Sequence, residues 1–378
     1  MGDDVEVGVL TGLDDGTRRE WDALVAATPG SDVNQLSAWA RVRATVGYST
    51  RYVLARDGGR LVGGAQLLLR AGAGPAGLAY LPSGPVISPG AADRGVVVAA
   101  LAAALDRWSN PLRPLFVQPP DDGDDVSAAL LARGFRRSEA GVAPAGTLRL
   151  DLAVSEEALR AGLGRRLRYW TGKWAERGVV VRRGDERDVG LLSELMAHTA
   201  AHQGYQALPR PYVDAFYREL APDGHVVLFV GEVAGSPVAA DLLTACGGVV
   251  KGRLGGFDRS GPAGKLSVPG AMRWAAIRWA REQGYRWFDF GGIDADMFAD
   301  LQAGRTRNEE SWPGADRAKL SFGGAPYAYP PAVERIAPPA RWAYDAARHS
   351  EAGRRLLSVA TERLRGARRD HGGPAQQK

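Results

Sequence analysis

The alternation of apolar and polar positions predicts a β-hairpin in each half of the chain. In the first half, apolar runs over 52–56 and 61–69 flank the turn Asp57-Gly58-Gly59. In the second half, runs over 225–230 and 238–244 flank a turn that contains Gly, Ser and Pro. Short apolar runs bounded by such turn residues are typical of paired strands.

Each predicted hairpin is followed by further strand, an amphipathic helix and one more short buried strand. The helices are predicted over 95–108 and 270–283, and the strands over 115–118 and 287–290. Because the same order of elements occurs twice, we interpret the chain as a duplication of one α/β unit. The order resembles that of the GNAT acyltransferases, which predicts an α/β fold of two tandem GNAT-like domains with mixed central sheets.

Composition is consistent with two folded domains. The chain has 378 residues, of which 45% are hydrophobic and 24% are charged, and this length and balance are typical of a globular protein with more than one core. We place the first GNAT-like domain at 1–146 and the second, with the main motifs, at 147–330. Over 331–378 we expect basic helices and a disordered polar tail.

The single cysteine, Cys246, excludes an internal disulfide framework and a zinc site built from several cysteines. The N-terminus carries two acidic residues where a signal peptide carries positive charge, and no apolar run approaches the roughly 20 residues of a membrane span. We therefore expect a cytoplasmic protein without a transmembrane segment. Peripheral contact with a membrane surface stays open.

The charge balance favours anionic partners, because the net charge is +5 and the pI is about 9.4. The chain has no Gly-x-Ser-x-Gly nucleophile elbow. His198 and His202 share a helical face, but no acidic third ligand accompanies them, so we assign no metal. Joining an ester or thioester to an amine needs neither a serine nor a cysteine nucleophile, which fits this pattern.

Five motifs occur in the order in which a known family has them. They are Asn34–Arg43 with Gln35 and Trp39, Leu78–Val86 with Tyr-x-Pro-x-Gly-Pro-Val, Leu148–Val179, Phe288–Asp294 and Lys319–Gly324. Together they resemble the FemABX-like aminoacyl-tRNA-dependent transferases, the family that includes peptidoglycan bridge-forming aminoacyltransferases. The stretch 187–210 is too short for the helical arm of some members, so the chain resembles the compact branch.

The resemblance implies an aminoacyltransferase that moves an amino acid from aminoacyl-tRNA, a co-substrate, to an amine acceptor without a cofactor. The acceptor would be a lipid- or nucleotide-linked peptidoglycan precursor or a natural-product intermediate. One alternative is an acyl-CoA-dependent N-acyltransferase, although the loop 259–264 lacks the usual spacing of a pyrophosphate loop. A second alternative is a non-catalytic duplicate that binds a partner.

Two residues are the candidates for catalysis. Lys319 matches a family lysine, which implies that it stabilises either the charge developing on the reacting ester or the end of the tRNA. The alternative is a solvated lysine. Asp289 lies in an apolar run, where an aspartate is costly to bury unless it is paired. We expect either structural pairing or a role near the acceptor amine. Asp294 is predicted to cap the following helix.

The remaining candidates bind substrates. The resemblance implies that Arg43, Arg210 and Tyr217 bind the acceptor and its phosphates, for which guanidinium groups are suited. The basic strand with Lys251 and Arg253 suggests a further contact with an anionic acceptor. We assign tRNA contact to Arg165, Arg166 and Arg168. These arginines lie on a helix predicted over 163–176, which also carries aromatic residues. The aromatic residues either stack on bases or form the core face of the helix, and we predict the core face for Trp170 and Trp174.

Overall fold

The computed structural model describes residues 5–71, 77–109, 113–305 and 311–349. The chain divides into two compact units. Unit 1 comprises the described residues up to Ala145, the turn 246–249 and the segment from Ala328. Unit 2 comprises residues 146–245 and the described part of 250–327.

Unit 1 begins with a strand, two helices and a long hairpin, followed by shorter strands and two more helices. Its elements in chain order are β1 (Glu6–Leu10), α1 (Asp15–Ala27), α2 (Ser37–Ala44), β2 (Tyr48–Asp57), β3 (Arg60–Arg70), β4 (Leu78–Leu81), β5 (Val86–Ile87), α3 (Arg94–Trp108), β6 (Leu115–Val117), α4 (Asp124–Leu131) and β7 (Arg136–Arg137).

Unit 2 repeats this order after one extra strand and two short helices. Its elements are β8 (Gly146–Asp151), α5 (Glu156–Gly162), α6 (Arg165–Thr171), β9 (Val179–Gly184), α7 (Val189–Gln203), α8 (Arg210–Leu220), β10 (Val226–Val233), β11 (Ser236–Cys246), β12 (Val249–Phe257), α9 (Val268–Glu282), β13 (Trp287–Gly292), α10 (Ala295–Gln302), α11 (Gly314–Leu320) and β14 (Ala325–Ala328). The chain then returns to unit 1 with β15 (Val333–Arg335) and α12 (Pro338–His349).

Each unit is built on one sheet. The strand order in unit 1 is β1-β2-β3-β4-β6-β15-β7, with β5 paired to β3. The sheet is mixed, because β4 and β6 run parallel while β2 and β3 run antiparallel. In unit 2 the order is β14-β8-β13-β12-β11-β10-β9. Strand β13, which carries the candidate Asp289, therefore lies inside the sheet, between β8 and β12.

Both units have an apolar core of their own. In unit 1 the helix α3 packs Leu101 and Leu105 against strand residues such as Val53. In unit 2 the helix α9 packs Ile277 in the same core as Phe288 of β13. Burial of such side chains stabilises a fold by roughly 1.5–3 kcal/mol each, so each sheet is held by its own crossover helix.

The predicted α/β fold of two units with a repeated order of elements is confirmed. The predicted hairpins are β2–β3 and β10–β11, and their turns use positive φ angles at Gly58, Gly59 and Gly235. The two predicted crossover helices are α3 and α9, within two residues at each end. The pattern of alternation located these elements because each buries one face on its own sheet.

The C-terminal part differs from the predicted arrangement. Instead of starting a separate segment, Val333–Arg335 pairs with both β6 and β7 in the sheet of unit 1. Glu334 is buried there because Arg136 Nε and the Ser138 hydroxyl both donate to its carboxylate, at 2.8 and 2.7 Å. The helix predicted at 340–349 lies in α12. The predicted basic stretch 352–368 and the polar tail lie outside the described residues.

Candidate functional site

Strand β13 ends in a distortion of its pairing with β8. The two strands pair regularly up to Asp289, and the register then shifts before Gly292. Gly291 has φ +80°, in the left-handed region that glycine adopts without steric cost. Such a bulge re-aims the residues around it, and it lies between the buried Asp289 and the end of the strand.

Asp289 is completely buried and surrounded by donors from three strands. Its carboxylate accepts from Thr147 Oγ1 at 2.7 Å and Arg149 Nε at 2.9 Å, both on β8, and from the Gly291 amide at 2.8 Å. Lys251 Nζ of β12 lies 3.8 Å away. Burial raises the pKa of Asp289, but the two cations and the hydrogen bonds outweigh it and lower that pKa overall.

The partners of Asp289 are themselves held in place. Arg149 is 6% exposed, and its guanidinium stacks on the ring of Tyr327, 3.7 Å from the centroid. The Lys251 side chain is 14% exposed. An ionised aspartate with these neighbours is a poor proton acceptor near neutral pH, so Asp289 has the paired arrangement that was one of our two alternatives.

Lys319 lies over the end of the same strand. It is near the C-terminus of α11, and its Nζ donates to the Gly292 carbonyl at 2.8 Å and contacts Asp316 Oδ1 at 2.9 Å. The other Asp316 oxygen accepts from the Asp294 amide at 3.0 Å. An ammonium group has three N–H donors, and the side chain is 25% exposed. Within the part of the chain that the structure describes, these two acceptors leave one donor available for a group that approaches from solvent.

Aromatic stacking fixes the segment that carries Lys319. The ring of Phe322, three residues further on, stacks on Phe290 with centroids 5.3 Å apart, and Phe290 packs on Phe288 at 5.1 Å. Contacts of this kind contribute about 0.5–1.5 kcal/mol beyond area burial. The two closing motifs of the family resemblance therefore meet in space at the bulge.

The structure brings Lys319, Asp289 and Lys251 together around the end of β13. Arg253 lies two residues beyond Lys251 on β12, but its Nε donates to Thr244 Oγ1 at 2.9 Å. Arg149 and Lys251 place two cations beside the buried Asp289 carboxylate. Cationic and polar side chains therefore surround this end of β13.

Other candidate residues lie elsewhere. Arg43 is in unit 1, 2% exposed, with its guanidinium over the rings of Tyr48 and Trp39 at 4.3 and 5.9 Å. Arg210 begins α8, and its Nε lies 3.5 Å from Asp214 Oδ2. Tyr217 is on the same helix, and burial is the main cause of its raised pKa. These three remain proposals for substrate binding.

The three arginines assigned to RNA lie on α6 and are exposed. Beside them is an open cavity of about 540 Å³, lined by Tyr169, Trp170, Lys173, Arg177, Gly261, Lys265 and Leu266. Gly261 and Lys265 belong to a short 3₁₀ helix, Gly261–Lys265, that precedes α9. The lining combines aromatic rings, cations and a glycine-containing loop, which suits a ligand with a flat ring and a negative charge.

The aromatic residues around this cavity have different roles. Trp174 is 7% exposed and donates from Nε1 to the Leu266 carbonyl at 3.0 Å, which confirms its prediction as a core residue. Trp170 is partly buried against the same core, as predicted, yet it also lines the cavity. Tyr169 is 61% exposed and meets Trp170 edge to face, so it offers the freest ring surface.

Sequence reasoning missed several parts of the site. Thr147 and Arg149 were not proposed, although they are polar residues two positions apart in an apolar strand and therefore point to one face. Lys265, Tyr327 and Asp316 were also missed. Asp294 behaves as predicted, because it caps α10 by accepting from the amides of residues 296 and 297.

The motifs of the first half have a structural role in unit 1. Gln35 Nε2 donates to the Pro82 carbonyl at 2.5 Å, and its Oε1 accepts from the Gln66 amide at 2.7 Å. Gln35 is fully buried. The helix-entry motif and the Tyr-x-Pro-x-Gly-Pro-Val turn therefore hold each other, and the chemistry-bearing cluster described above lies in unit 2.

Comparison with protein families finds an acetyltransferase (GNAT) domain over residues 159–298. The match begins in α5, ends in α10 and includes Lys251 and Asp289, while Lys319 lies beyond it. No helix among the described parts of the chain has the length and apolar character needed to cross a membrane.

Curated relatives are named lipid II:glycine glycyltransferase. The protein of that name from Staphylococcus saprophyticus is 27% identical over 239 residues, which is 60% of this chain and 57% of the relative. Its counterpart from Staphylococcus aureus strain MRSA252 is 28% identical over 231 residues, or 57% of this chain and 53% of the relative. The chain thus spans little more than half the length of these relatives.

Solved structures share the fold along almost the whole chain. The crystal structure of FemX superposes with a TM-score of 0.73 at 19% identity, covering 90% of this chain and 99% of FemX. L-PGS from Bacillus licheniformis gives a TM-score of 0.54 at 12% identity, covering 93% and 97%. The chain therefore has the fold of FemX, and over little more than half of its length its sequence is similar to proteins named lipid II:glycine glycyltransferase.

Proposed function

We propose that the protein is an aminoacyltransferase that joins an amino acid to an amine of a peptidoglycan precursor, forming an amide. The observation that carries the proposal is the Lys319 ammonium, fixed at the Gly292 carbonyl and partly open to solvent. Homology to proteins named lipid II:glycine glycyltransferase supports the choice of acyl group and acceptor. The acceptor would be a lipid- or nucleotide-linked cell-wall precursor.

In the proposed reaction, the acceptor nitrogen attacks the carbonyl carbon of an aminoacyl ester. A C–N bond forms, the C–O bond to the carrier breaks, and the proton released by the amine ends on the leaving alkoxide. Lys319 would donate its remaining N–H to the oxyanion that forms on the carbonyl oxygen. Asp289 is not the base, because it is buried and its pKa is lowered.

We propose aminoacyl-tRNA as the donor. Arg165, Arg166 and Arg168 offer exposed cations on α6 for backbone phosphates, and the neighbouring cavity offers Tyr169 and Trp170 for bases. A single-stranded 3′ end is commonly held by this combination of charge and stacking, with about 1–3 kcal/mol per stacked base. Transfer would then depend on intact tRNA and weaken with salt.

The experiment is transfer of a labelled amino acid from charged tRNA to lipid II or to its nucleotide-linked precursor. We expect amide formation that disappears when the charged tRNA is treated with RNase first. The Lys319→Ala variant should lower kcat by about 10²–10³-fold, the range for loss of one oxyanion donor. Arg317→Ala is the matched control, because Arg317 is exposed on the same helix. Full activity in the Lys319→Ala variant contradicts the proposed role.

A second candidate function is an acyl-CoA-dependent N-acyltransferase. The GNAT domain match favours it, although the loop 259–264 lacks the usual spacing of a pyrophosphate loop. Calorimetric titration with acetyl-CoA separates the two functions. Tight binding together with RNase-insensitive transfer would favour the CoA donor. A chain that transfers neither acyl group would be a non-catalytic binding duplicate.

A further inference from the structure

We propose that Asp289 is a positioning residue that acts through Lys319. The inference rests on the proposed function and deepens it, since it states what aims the ammonium. In this proposal the buried carboxylate fixes the bulge at Gly291–Gly292, and the bulge presents the Gly292 carbonyl to Lys319 Nζ. Asp289 itself touches no reacting atom.

The first step is the hydrogen bonding between Asp289 and the bulge. Its Oδ1 accepts from the Gly291 amide at 2.8 Å, and Thr147 Oγ1 lies 2.7 Å from the same oxygen and 2.9 Å from the Gly291 carbonyl oxygen. Asp289 therefore fixes the Gly291 amide, and the single hydroxyl hydrogen of Thr147 lies within reach of both the carboxylate and the Gly291 carbonyl. Since the strand register is broken here, these side-chain contacts replace ladder hydrogen bonds that the bulge forfeits.

The second step is the link from the bulge to Lys319. Gly292 follows Gly291 directly, so the peptide at Gly291 helps to place the Gly292 carbonyl, together with the hydrogen bond from the Ile293 amide to the Gly146 carbonyl at 3.2 Å. Lys319 Nζ lies 2.8 Å from that oxygen. Asp316 supplies a second acceptor at 2.9 Å. Two fixed acceptors define the direction of the ammonium, which leaves its remaining N–H aimed in one direction.

The third step is the electrostatic state of the cluster. Arg149 and Lys251 approach the second carboxylate oxygen, Oδ2, at 2.9 and 3.8 Å. Without the negative charge these two cations would repel each other in a nearly dry environment, and breaking such a buried pair is strongly destabilising. An Asn side chain in place of Asp289 keeps the shape but not the charge, so we expect the strand end to shift.

The test is a double-mutant cycle of Asp289→Asn and Lys319→Ala, measured with the complete transfer reaction. In the wild-type background, Asp289→Asn should lower kcat by about 10–100-fold and change KM for either substrate by less than about threefold. In the Lys319→Ala background, it should change kcat by less than about threefold, because residues that act as a unit are not additive.

Asp241→Asn is the matched control. Among the described residues of unit 2, Asp241 is a second deeply buried aspartate; it lies on β11 and pairs with Arg273 at 2.6 Å. Any effect of this variant on kcat should be the same factor in both backgrounds. If the Asp289→Asn factor is also the same in both backgrounds, the positioning role is overturned. Loss of the Lys319→Ala effect would instead overturn the proposed function, so the two failures are distinguishable.

Thr147→Val guards against loss of folding in the Asp289 variant. It removes one hydroxyl near Gly291 while the carboxylate and both cations stay. We expect a smaller loss of kcat, about 3–10-fold, which again disappears in the Lys319→Ala background. A Thr147→Val loss that persists in that background, or a change confined to KM, contradicts the proposal.

Discussion

At the scale of single residues, two buried aspartates of unit 2 behave in opposite ways. Burial raises the pKa of both. For Asp241 this effect prevails over its single partner Arg273, and the pKa is raised. For Asp289, two cations and two hydrogen bonds prevail, and the pKa is lowered. With burial equal, the number of donors around each carboxylate sets the direction of its pKa shift.

The lowered pKa of Asp289 predicts a specific loss of stability in acid. A carboxylate whose pKa is lowered by folding stabilises the fold above its unfolded value, near 3.8, and loses that contribution as the pH falls through the folded pKa. At pH 7, Asp289→Asn should lower the free energy of unfolding by about 3–5 kcal/mol. In urea titrations below pH 4, the gap between wild type and variant should shrink.

Asp241→Asn serves as the control, because the stability difference between wild type and this variant should change with pH in the opposite direction. Its raised pKa means that the ionised form is disfavoured by folding, so wild type should gain stability relative to this variant as the pH falls. Parallel curves for wild type and Asp289→Asn between pH 7 and 3 would contradict the ionised state assigned to Asp289.

Residue patterns located the site only in part. Asp289 was recognisable because an aspartate in the run Trp287–Phe290 needs a partner. The sequence predicted that Asp289 needs polar partners but not which residues they are, since Thr147 and Arg149 lie about 140 positions earlier in the chain. The topology of the sheet decides which strand pairs with β13, and the local alternation of apolar and polar residues does not predict that topology. For the same reason, the contact of Tyr327 with Arg149 was not predictable from the sequence.

At the scale of elements, α6 offers the clearest test of carrier binding. We expect the double variant Arg165→Ala/Arg166→Ala to raise KM for aminoacyl-tRNA by about tenfold with kcat nearly unchanged. Each lost phosphate contact should also reduce the slope of log(kcat/KM) against log salt by about 0.7–0.9. The measurement is steady-state transfer at several salt concentrations.

The control for α6 removes the same charge elsewhere. Arg187 and Arg218 are exposed in unit 2, away from the cavity lining. The variant Arg187→Ala/Arg218→Ala lowers the net charge equally and should leave the salt slope nearly unchanged. Equal slopes for both double variants would mean that general charge, and not α6, attracts the carrier.

Elements with strong periodicity were predictable, and the short ones were not. The hairpin β10–β11 and the helix α9 carry long apolar patterns that bury one face. Strand β15 has only three residues, and its middle residue is Glu334. From sequence alone a glutamate is expected to be exposed, which hides the strand. Its burial depends on Arg136 and Ser138, almost 200 positions earlier. Such tertiary pairing overrides local propensity.

At the scale of the whole molecule, unit 1 is assembled from both ends of the described chain. We expect Val333→Asp to disturb unit 1 alone, because Val333 is fully buried between β6 and β7. Hydrogen exchange should quicken at least about tenfold for the amides of Leu115–Val117, which corresponds to about 1.4 kcal/mol. The amides of β10 and β11 should keep their protection.

Val180→Asp is the matched substitution, since Val180 is 54% exposed on β9. It should leave exchange in both units close to that of wild type. If Val333→Asp instead quickened exchange evenly across both units, the two cores would unfold together. That result would contradict the expectation that they unfold independently.

The position of β15 has a consequence for synthesis on the ribosome. About 200 residues separate β7 from β15, so at 5–20 residues per second the nascent chain exposes the edge of β6 for roughly 10–40 s. The later unit is complete before the earlier one can close its sheet. The sheet of unit 1 therefore keeps an unpaired strand edge at β6 until residues 333–335 have been synthesised.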